Sequence, residues 1–170
     1  MPKIADIGAA VARIENLDRE SAQRREKELR NLTQRLPFMP VGRDGRTDIY
    51  DLPSLAALRV VQIAADIGLS RPTLAKFVAA LHESDRSEMP SPGKRGRVMD
   101  RLVQRAVAGE TFAVAINLLP GGETVVFTGD RPNSETDAIF DSAGFPSPIA
   151  TVEIRADELI RALLDELKAD

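Results

Sequence analysis

Residues Leu58–Leu81, LRVVQIAADIGLSRPTLAKFVAAL, read as a helix, a tight corner and a second helix. Leu58, Val61 and Ala65 share one face of the first helix. Ala64, four residues before Gly68, puts a small side chain where the second helix must cross closely. Gly68 supplies the left-handed conformation that ends a helix cheaply. Leu69 plugs the corner, Ser70 offers a side-chain oxygen as N-cap, and Pro72 falls in the first turn, where its missing N–H costs little. Leu74, Phe77, Val78 and Leu81 make the buried stripe of the second helix. Arg71, Thr73 and Lys76 are left at or near its exposed N-terminal end.

Upstream, residues 4–14 form a short helix, apolar through Ala9, Ala10, Val11 and Ile14. Asp18 caps a longer one, DRESAQRREKELRNLTQRL, which Pro37 stops. Its apolar face is Ala22, Leu29, Leu32 and Leu36. Arg19, Arg24, Arg25, Lys27, Arg30 and Arg35 stand on its other faces among Glu20, Glu26 and Glu28. In FMPVGRDGRTDIY, Gly42 and the Asp44-Gly45 pair mark a hairpin with Arg43 and Arg46 at its tip. Asp51 caps the next helix, opened by Leu52 and Pro53, which runs into the corner at Gly68.

Downstream the composition shifts. ESDRSEMPSPGKRGR has the prolines, glycines and charges of a linker, placed at 87–96. Val98, Leu102, Val103 and Ala106 outline a helix ending at Gly109. Thr111–Leu118 alternates, with Phe112, Val114, Ile116 and Leu118 on one face and Ala113, Ala115 and Asn117 on the other. TVVFTG follows a Pro120-Gly121-Gly122 turn as its partner strand. A short helix is expected near Asp137–Ser142, then a third strand, IATVEI. In the final helix, 157–167, Ile160, Leu163, Leu164 and Leu167 form an i, i+3, i+4, i+7 stripe. That stripe suits either a dimer surface or packing on the chain's own three strands.

The chain has 170 residues, 43% hydrophobic and 29% charged, which are globular values. It has no cysteine, which excludes disulfides and thiolate metal sites and fits a cytoplasmic setting. The N-terminus lacks the long apolar core of a signal peptide, and no apolar run has membrane-spanning length. The net charge of −3 divides unevenly. Up to Arg105 there are 19 Lys+Arg against 14 Asp+Glu, a balance of +5; beyond it 4 stand against 12, a balance of −8. Such asymmetry points to a nucleic-acid-facing part joined to one that is not.

Catalytic and cofactor motifs do not emerge. His82 is the sole histidine, so a histidine metal cluster or a nucleophile–base–acid triad would rest on one residue, and its place at a helix end suits packing. There is neither a G-x-x-x-x-G-K-[ST] loop nor a G-x-G-x-x-G turn after a strand. Gly93-Lys94-Arg95-Gly96-Arg97 is basic but follows no strand, and Asp137 and Asp141 suit caps and turns. Neither enzymatic activity nor a cofactor is expected.

The G-L-S-R-P-T-L run resembles the turn and recognition helix of helix-turn-helix DNA-binding proteins, whose second helix presents its first residues to base edges. A purely structural hairpin would need the same residues. The larger order is similar to the MerR family of winged-helix regulators: two helices, an arginine-bearing hairpin, I-Y-D-L-P-S-L-A-A-L-R, then a helix ending in a Gly corner. Arg46, Tyr50, Asp51, Leu55, Leu58, Arg59 and Gly68 carry that resemblance. It implies that helices 4–14 and 18–35 form the base-reading unit, that Val41–Tyr50 is a wing on the phosphate backbone, and that 52–67 and 71–82 support the wing. Which helix enters the major groove, 18–35 or 71–81, stays open.

The expectation is therefore an α+β chain. A helical, winged helix-turn-helix domain spans 1–86, and a small mixed α+β domain for dimerisation or partner binding spans 97–170. The expected function is a sequence-specific, DNA-binding transcription regulator of bacterial or prophage type, acting on double-stranded DNA as a homodimer. Its contacts would come from Arg24, Arg25, Arg30, Arg43, Arg46, Arg71, Thr73 and Lys76. The alternative is a protein–protein adaptor or phage assembly component that never meets DNA.

Overall fold

A computed structural model describes residues 3–83, 96–129 and 146–168. The linker residues up to 95, the short helix expected near Asp137–Ser142, and Asp137 and Asp141 lie outside the described residues. Within them the chain is mixed α+β. Helices α1 (Ile4–Ile14) and α2 (Arg19–Arg35) lead to a two-stranded antiparallel hairpin of β1 (Gly42–Asp44) and β2 (Thr47–Ile49). Helices α3 (Leu52–Asp66), α4 (Arg71–His82) and α5 (Val98–Val107) follow. Strands β3 (Ala113–Leu118), β4 (Thr124–Gly129) and β5 (Ala150–Ile154) and helix α6 (Ala156–Lys168) complete the order. The three strands form an antiparallel sheet in the order β4-β3-β5, with Ile116 opposite Val126 on one side and Val152 on the other.

The caps read from the sequence are made. Asp18 accepts from the Ser21 N–H at 2.8 Å, Asp51 from Ser54 at 3.0 Å, and Ser70 from Thr73 at 3.4 Å. Gly68 takes φ +97°, so the corner between α3 and α4 depends on a residue without a Cβ. At Gly8 the requirement is space: a Cβ there would stand 3.0 Å from the Glu26 Cβ, which is how closely α1 approaches α2.

Helix α3 is more central than its amphipathic pattern suggests. Every residue from Ser54 to Gln62 is buried, and α3 touches α2, α4, α5, α6 and β5. One hydrophobic cluster runs from Ile7, Val11 and Leu29 through Leu55, Val61 and Phe77 to Leu102, Ile116, Ile154 and Leu163. The stretches 1–86 and 97–170, expected as separate domains, thus contribute to a common core.

The structure shows what becomes of two of the expected faces. The stripe on α6 is no free dimer surface: Ile160 and Leu163 are fully buried, Leu164 nearly so, and α6 packs chiefly on α1, α5 and α3 and only lightly on β3. An i, i+3, i+4, i+7 stripe shows that a helix has an apolar side but not what covers it. In β3 both faces are buried, since Ala113, Ala115 and Asn117 are as covered as Val114 and Ile116. Small side chains let that second face be covered closely.

Candidate nucleic-acid interface

Helix α2 sorts its side chains by period. Leu29, Leu36 and Thr33 turn inward, with Leu32 partly buried against the core. On the opposite side Arg24, Lys27, Arg30 and Gln34 are exposed, three or four residues apart, and make one polar face with Gln23 beside it. Arg24 reaches Glu20 at 3.5 Å and Arg30 reaches Glu26 at 2.6 Å, both pairs one turn apart on the surface. Such pairs hold a side chain weakly, at about 0.3–0.5 kcal/mol, so they yield to a stronger partner.

Arg25 differs from its neighbour. It points away from that face and lies 3.2 Å from Glu15, 2.9 Å from Glu28 and 3.0 Å from Asp66, only 19% exposed. Burial alone would lower its pKa, but Asp66, Glu15 and Glu28 outweigh burial and raise it. Arg59, almost wholly buried, donates to the same Glu15 at 2.7 Å and also to Gln62, which in turn donates to Asp66 at 2.7 Å. Arg25 is thus a rivet between α1, α2 and α3, and its guanidinium is not presented outward. Sequence reading grouped it with Arg24 because adjacent positions on a helix look alike until the partner elements are placed.

The hairpin carries Arg43 and Arg46 as expected. Arg43 pairs across the strands with Asp48 at 2.8 Å and stays 73% exposed. Arg46, in the turn, is exposed and has no carboxylate partner among the described residues. It lines a polar cleft of about 260 Å³ with Lys3, Arg30, Gln34, Thr47 and Tyr50, between the start of α1, the outer face of α2 and the hairpin. Arg30 and Arg46 are thereby brought together, with Lys3 beside them, itself 3.0 Å from Asp44. Tyr50 closes the cleft from inside. Its phenol pKa is raised by burial, against a hydrogen bond with Thr33 that lowers it. Lys3, Lys27, Gln34 and Tyr50 were missed as site residues. The helical period already put Lys27 and Gln34 beside Arg24 and Arg30, whereas nothing local joins Lys3 to Arg46.

The α4 candidates are used differently. Arg71 donates to the Arg35 carbonyl at 3.1 Å, so α4 begins where α2 ends. The Thr73 hydroxyl is 2.9 Å from that of Ser70, inside the cap. Lys76 is exposed and has no carboxylate partner among the described residues.

Where the chain resumes, Arg97 ties α5 to α3. It reaches Asp51 at 2.6 Å, Asp100 at 2.8 Å and the Ser54 hydroxyl at 3.2 Å. Burial would raise both carboxyl pKa values, but bonds from Ser54 and Arg97 lower that of Asp51, and bonds from Arg97 lower that of Asp100. His82, half-buried at the end of α4, meets Phe38 edge-on at 5.7 Å. Burial lowers its pKa first, and the charge of Arg97 adds to this.

Among the described residues no cluster of three or more His, Asp or Glu could hold a metal ion. No described helix is long and apolar enough to cross a membrane. Comparison of the chain with protein-family models and with curated proteins finds no match.

Proposed function

We propose that this chain is a sequence-specific DNA-binding regulator of the winged helix-turn-helix kind. In this reading α2 lies in the major groove, and the β1–β2 hairpin rests on the phosphate backbone. Arg24, Lys27, Arg30 and Gln34 would face base edges and nearby phosphates, and Arg43 and Arg46 would contact phosphates. Arg71 would stand at the end of α2, while Thr73 and Arg25 keep structural roles.

One observation carries the reading. Among the described residues the cations without a carboxylate partner, Arg19, Lys27, Arg35, Arg46, Arg71 and Lys76, all belong to α2, the hairpin and α4. A desolvated cation is costly, whereas an exposed, unpaired one is free to displace counterions from a polyanion. Placement of α2 in the groove is favoured over α4 by its longer exposed face of Arg, Lys and Gln, the residue types that reach guanine and adenine edges. Homodimeric binding remains part of the proposal, on a surface other than the α6 stripe.

The test is binding of the full chain to duplex DNA across a salt series. The isolated 1–88 segment is unsuitable, because α1 packs on α6 and Arg13 bonds Glu166 at 2.6 Å. The expected log–log slope is about −0.9 per phosphate neutralised. Absence of binding at low salt favours the adaptor instead.

A further inference from the structure

The three-stranded sheet ends on β5, and this edge is open. Ala150, Thr151 and Glu153 are exposed, and Ile149 just before the strand is 72% exposed, whereas β3 beside it is buried on both faces. An edge strand offers a row of unpaired backbone N–H and C=O groups, which folded chains usually blunt with proline, lysine or a bulge. Ala150–Ile154 has neither proline nor lysine, and its register on β3 runs unbroken.

The ladder shows which groups are left over. The Leu119 N–H donates to the Glu123 carbonyl at 2.8 Å, in the same register as the β3–β4 pairs, so the odd-numbered residues of β3 bond β4. Val114, Ile116 and Leu118 are left to bond β5 through their partners Ile154, Val152 and Ala150. Thr151 and Glu153 therefore point their backbone N–H and C=O outward. Among the described residues neither makes a backbone bond on that side.

The strand's own sequence decides what fits there. A two-fold axis through a sheet keeps each side chain on its face, so a second copy pairs antiparallel with residues of like parity opposite. An axis at Glu153 sets carboxylate against carboxylate. One at Ile154 runs into α6 at Ala156, and one at Thr151 needs the Ile149 N–H, which already donates to the Leu118 carbonyl at 2.8 Å. An axis at Val152 uses the whole of β5. Thr151 then exchanges backbone bonds with Glu153 of the second copy, and Glu153 with its Thr151. The exposed Ile149 lies opposite Arg155, whose aliphatic stem covers it, and no like charges are set opposite one another.

We propose that β5 joins β5 of a second copy about a two-fold axis at Val152, making one continuous sheet across the dimer. The proposal gives the homodimer of the regulator reading its surface and rests on that part of it. Its test contains no DNA, so failure of the dimer and failure of DNA binding are seen separately.

The experiment measures the mass of the full chain by light scattering over a concentration series, which should reach twice the monomer mass at tens of micromolar. Ile149→Lys sets a lysine against Arg155 at both ends of the paired strands and should raise the dissociation constant at least about tenfold. Adding Arg155→Glu makes those pairs opposite in sign and should restore the dimer. The chain has no cysteine, so Val152→Cys introduces a lone thiol. At the axis the two copies of that residue form a non-hydrogen-bonded pair with Cα atoms about 4.5 Å apart, within disulfide reach, and mild oxidation should give a covalent dimer. Ala150→Cys, opposite Ile154 and far from its own copy, should not. Should Val152→Cys fail to fold, the exposed pair Ile149→Lys and Arg155→Glu still decides. A chain monomeric throughout, a dimer indifferent to Ile149→Lys, no rescue by Arg155→Glu, or equal crosslinking of the two cysteine variants would each overturn the proposal.

Discussion

Between Arg19 and Lys76, Arg19, Lys27, Arg35, Arg46, Arg71 and Lys76 have no carboxylate partner among the described residues. Beyond Gly96, Arg97, Arg105, Arg155, Arg161 and Lys168 each have one. The second region carries the acidic excess, so carboxylates are close at hand: Arg97 fastens α5 to α3, while Arg155–Glu158 and Lys168–Asp165 are exposed pairs three residues apart. In the first region charge is separated by face: Arg25 and Arg59 fasten helices inside, while the outer face of α2 and the hairpin carry Lys27 and Arg46 without a carboxylate partner among the described residues, beside the exposed pairs of Arg24, Arg30 and Arg43. The difference supports the proposed function, because an unpaired cation on a surface has only solvent and partners to answer to.

The sharpest way to break this contrast is to treat the regions as independent. Leu163 is fully buried on α6 in the core that also holds Val11 and Leu55. Leu163→Glu would bury a carboxylate there, at about 4–5 kcal/mol or more. That approaches the whole stability of a chain this size, about 5–15 kcal/mol. The expected outcome is loss of both regions together. Tyr50 is the chain's only tyrosine and there is no tryptophan, so near-ultraviolet tyrosine dichroism reports the first region. A Leu163→Glu chain that keeps a native Tyr50 signal would show that the common core does not couple them.

Smaller effects separate neighbours. Arg25→Ala should cost about 1–3 kcal/mol, since it leaves Glu15 and Asp66 partly buried with fewer partners. Arg24→Ala should change stability by less than about 0.5 kcal/mol while weakening specific DNA binding by about 1–3 kcal/mol. Thermal melts and binding isotherms on both variants check this; equal stability losses would erase the distinction between the faces. Arg97→Ala should cost about 1–2 kcal/mol by freeing α5 from Asp51. It should also lessen acid sensitivity, with the bonds from Ser54 still lowering the Asp51 pKa. Asp51 and Asp100 have pKa values held below their ordinary 3.8, so the stability they contribute is present above 3.8 and lost as pH falls through their folded values. A chain without Arg97 should show a shallower loss in that window.

Local signals were read well. The caps Asp18, Asp51 and Ser70, the corner at Gly68, the hairpin between Gly42 and Ile49 and the limits of α3 and α4 follow from short-range chemistry, and the structure has them. What escaped the sequence depends on partners far along the chain. The cover of the α6 stripe by α1, the burial of α3 nearly all round, and the sharing of Glu15 by Arg25 and Arg59 join residues tens of positions apart. The candidate site divides the same way. The α2 face was available from periodicity, but the cleft joining Lys3, Arg30 and Arg46 required three elements to be placed in space.

The smallest expected effect concerns His82, at the seam between the regions. Its ring lies edge-on to Phe38, its Nε2 is buried without a partner, and burial followed by the charge of Arg97 lowers its pKa from 6.5, while Asp51 and Asp100 pull the other way. A histidine whose folded pKa is lowered stays neutral in the folded chain at pH values where the unfolded chain has bound a proton. Stability is therefore full above about 6.5, falls as pH drops below it, and levels off once the folded imidazole is protonated too. Histidine is the side chain whose ordinary pKa lies in this range and the chain has no other, so the slope of melting temperature between pH 6.5 and 5 isolates His82. His82→Leu keeps apolar contact with Phe38 and removes the titration. It should flatten that slope and leave the melting temperature at pH 8 within a few degrees of the parent, and an unchanged slope would move the acid sensitivity away from the seam to the carboxylates around Arg97.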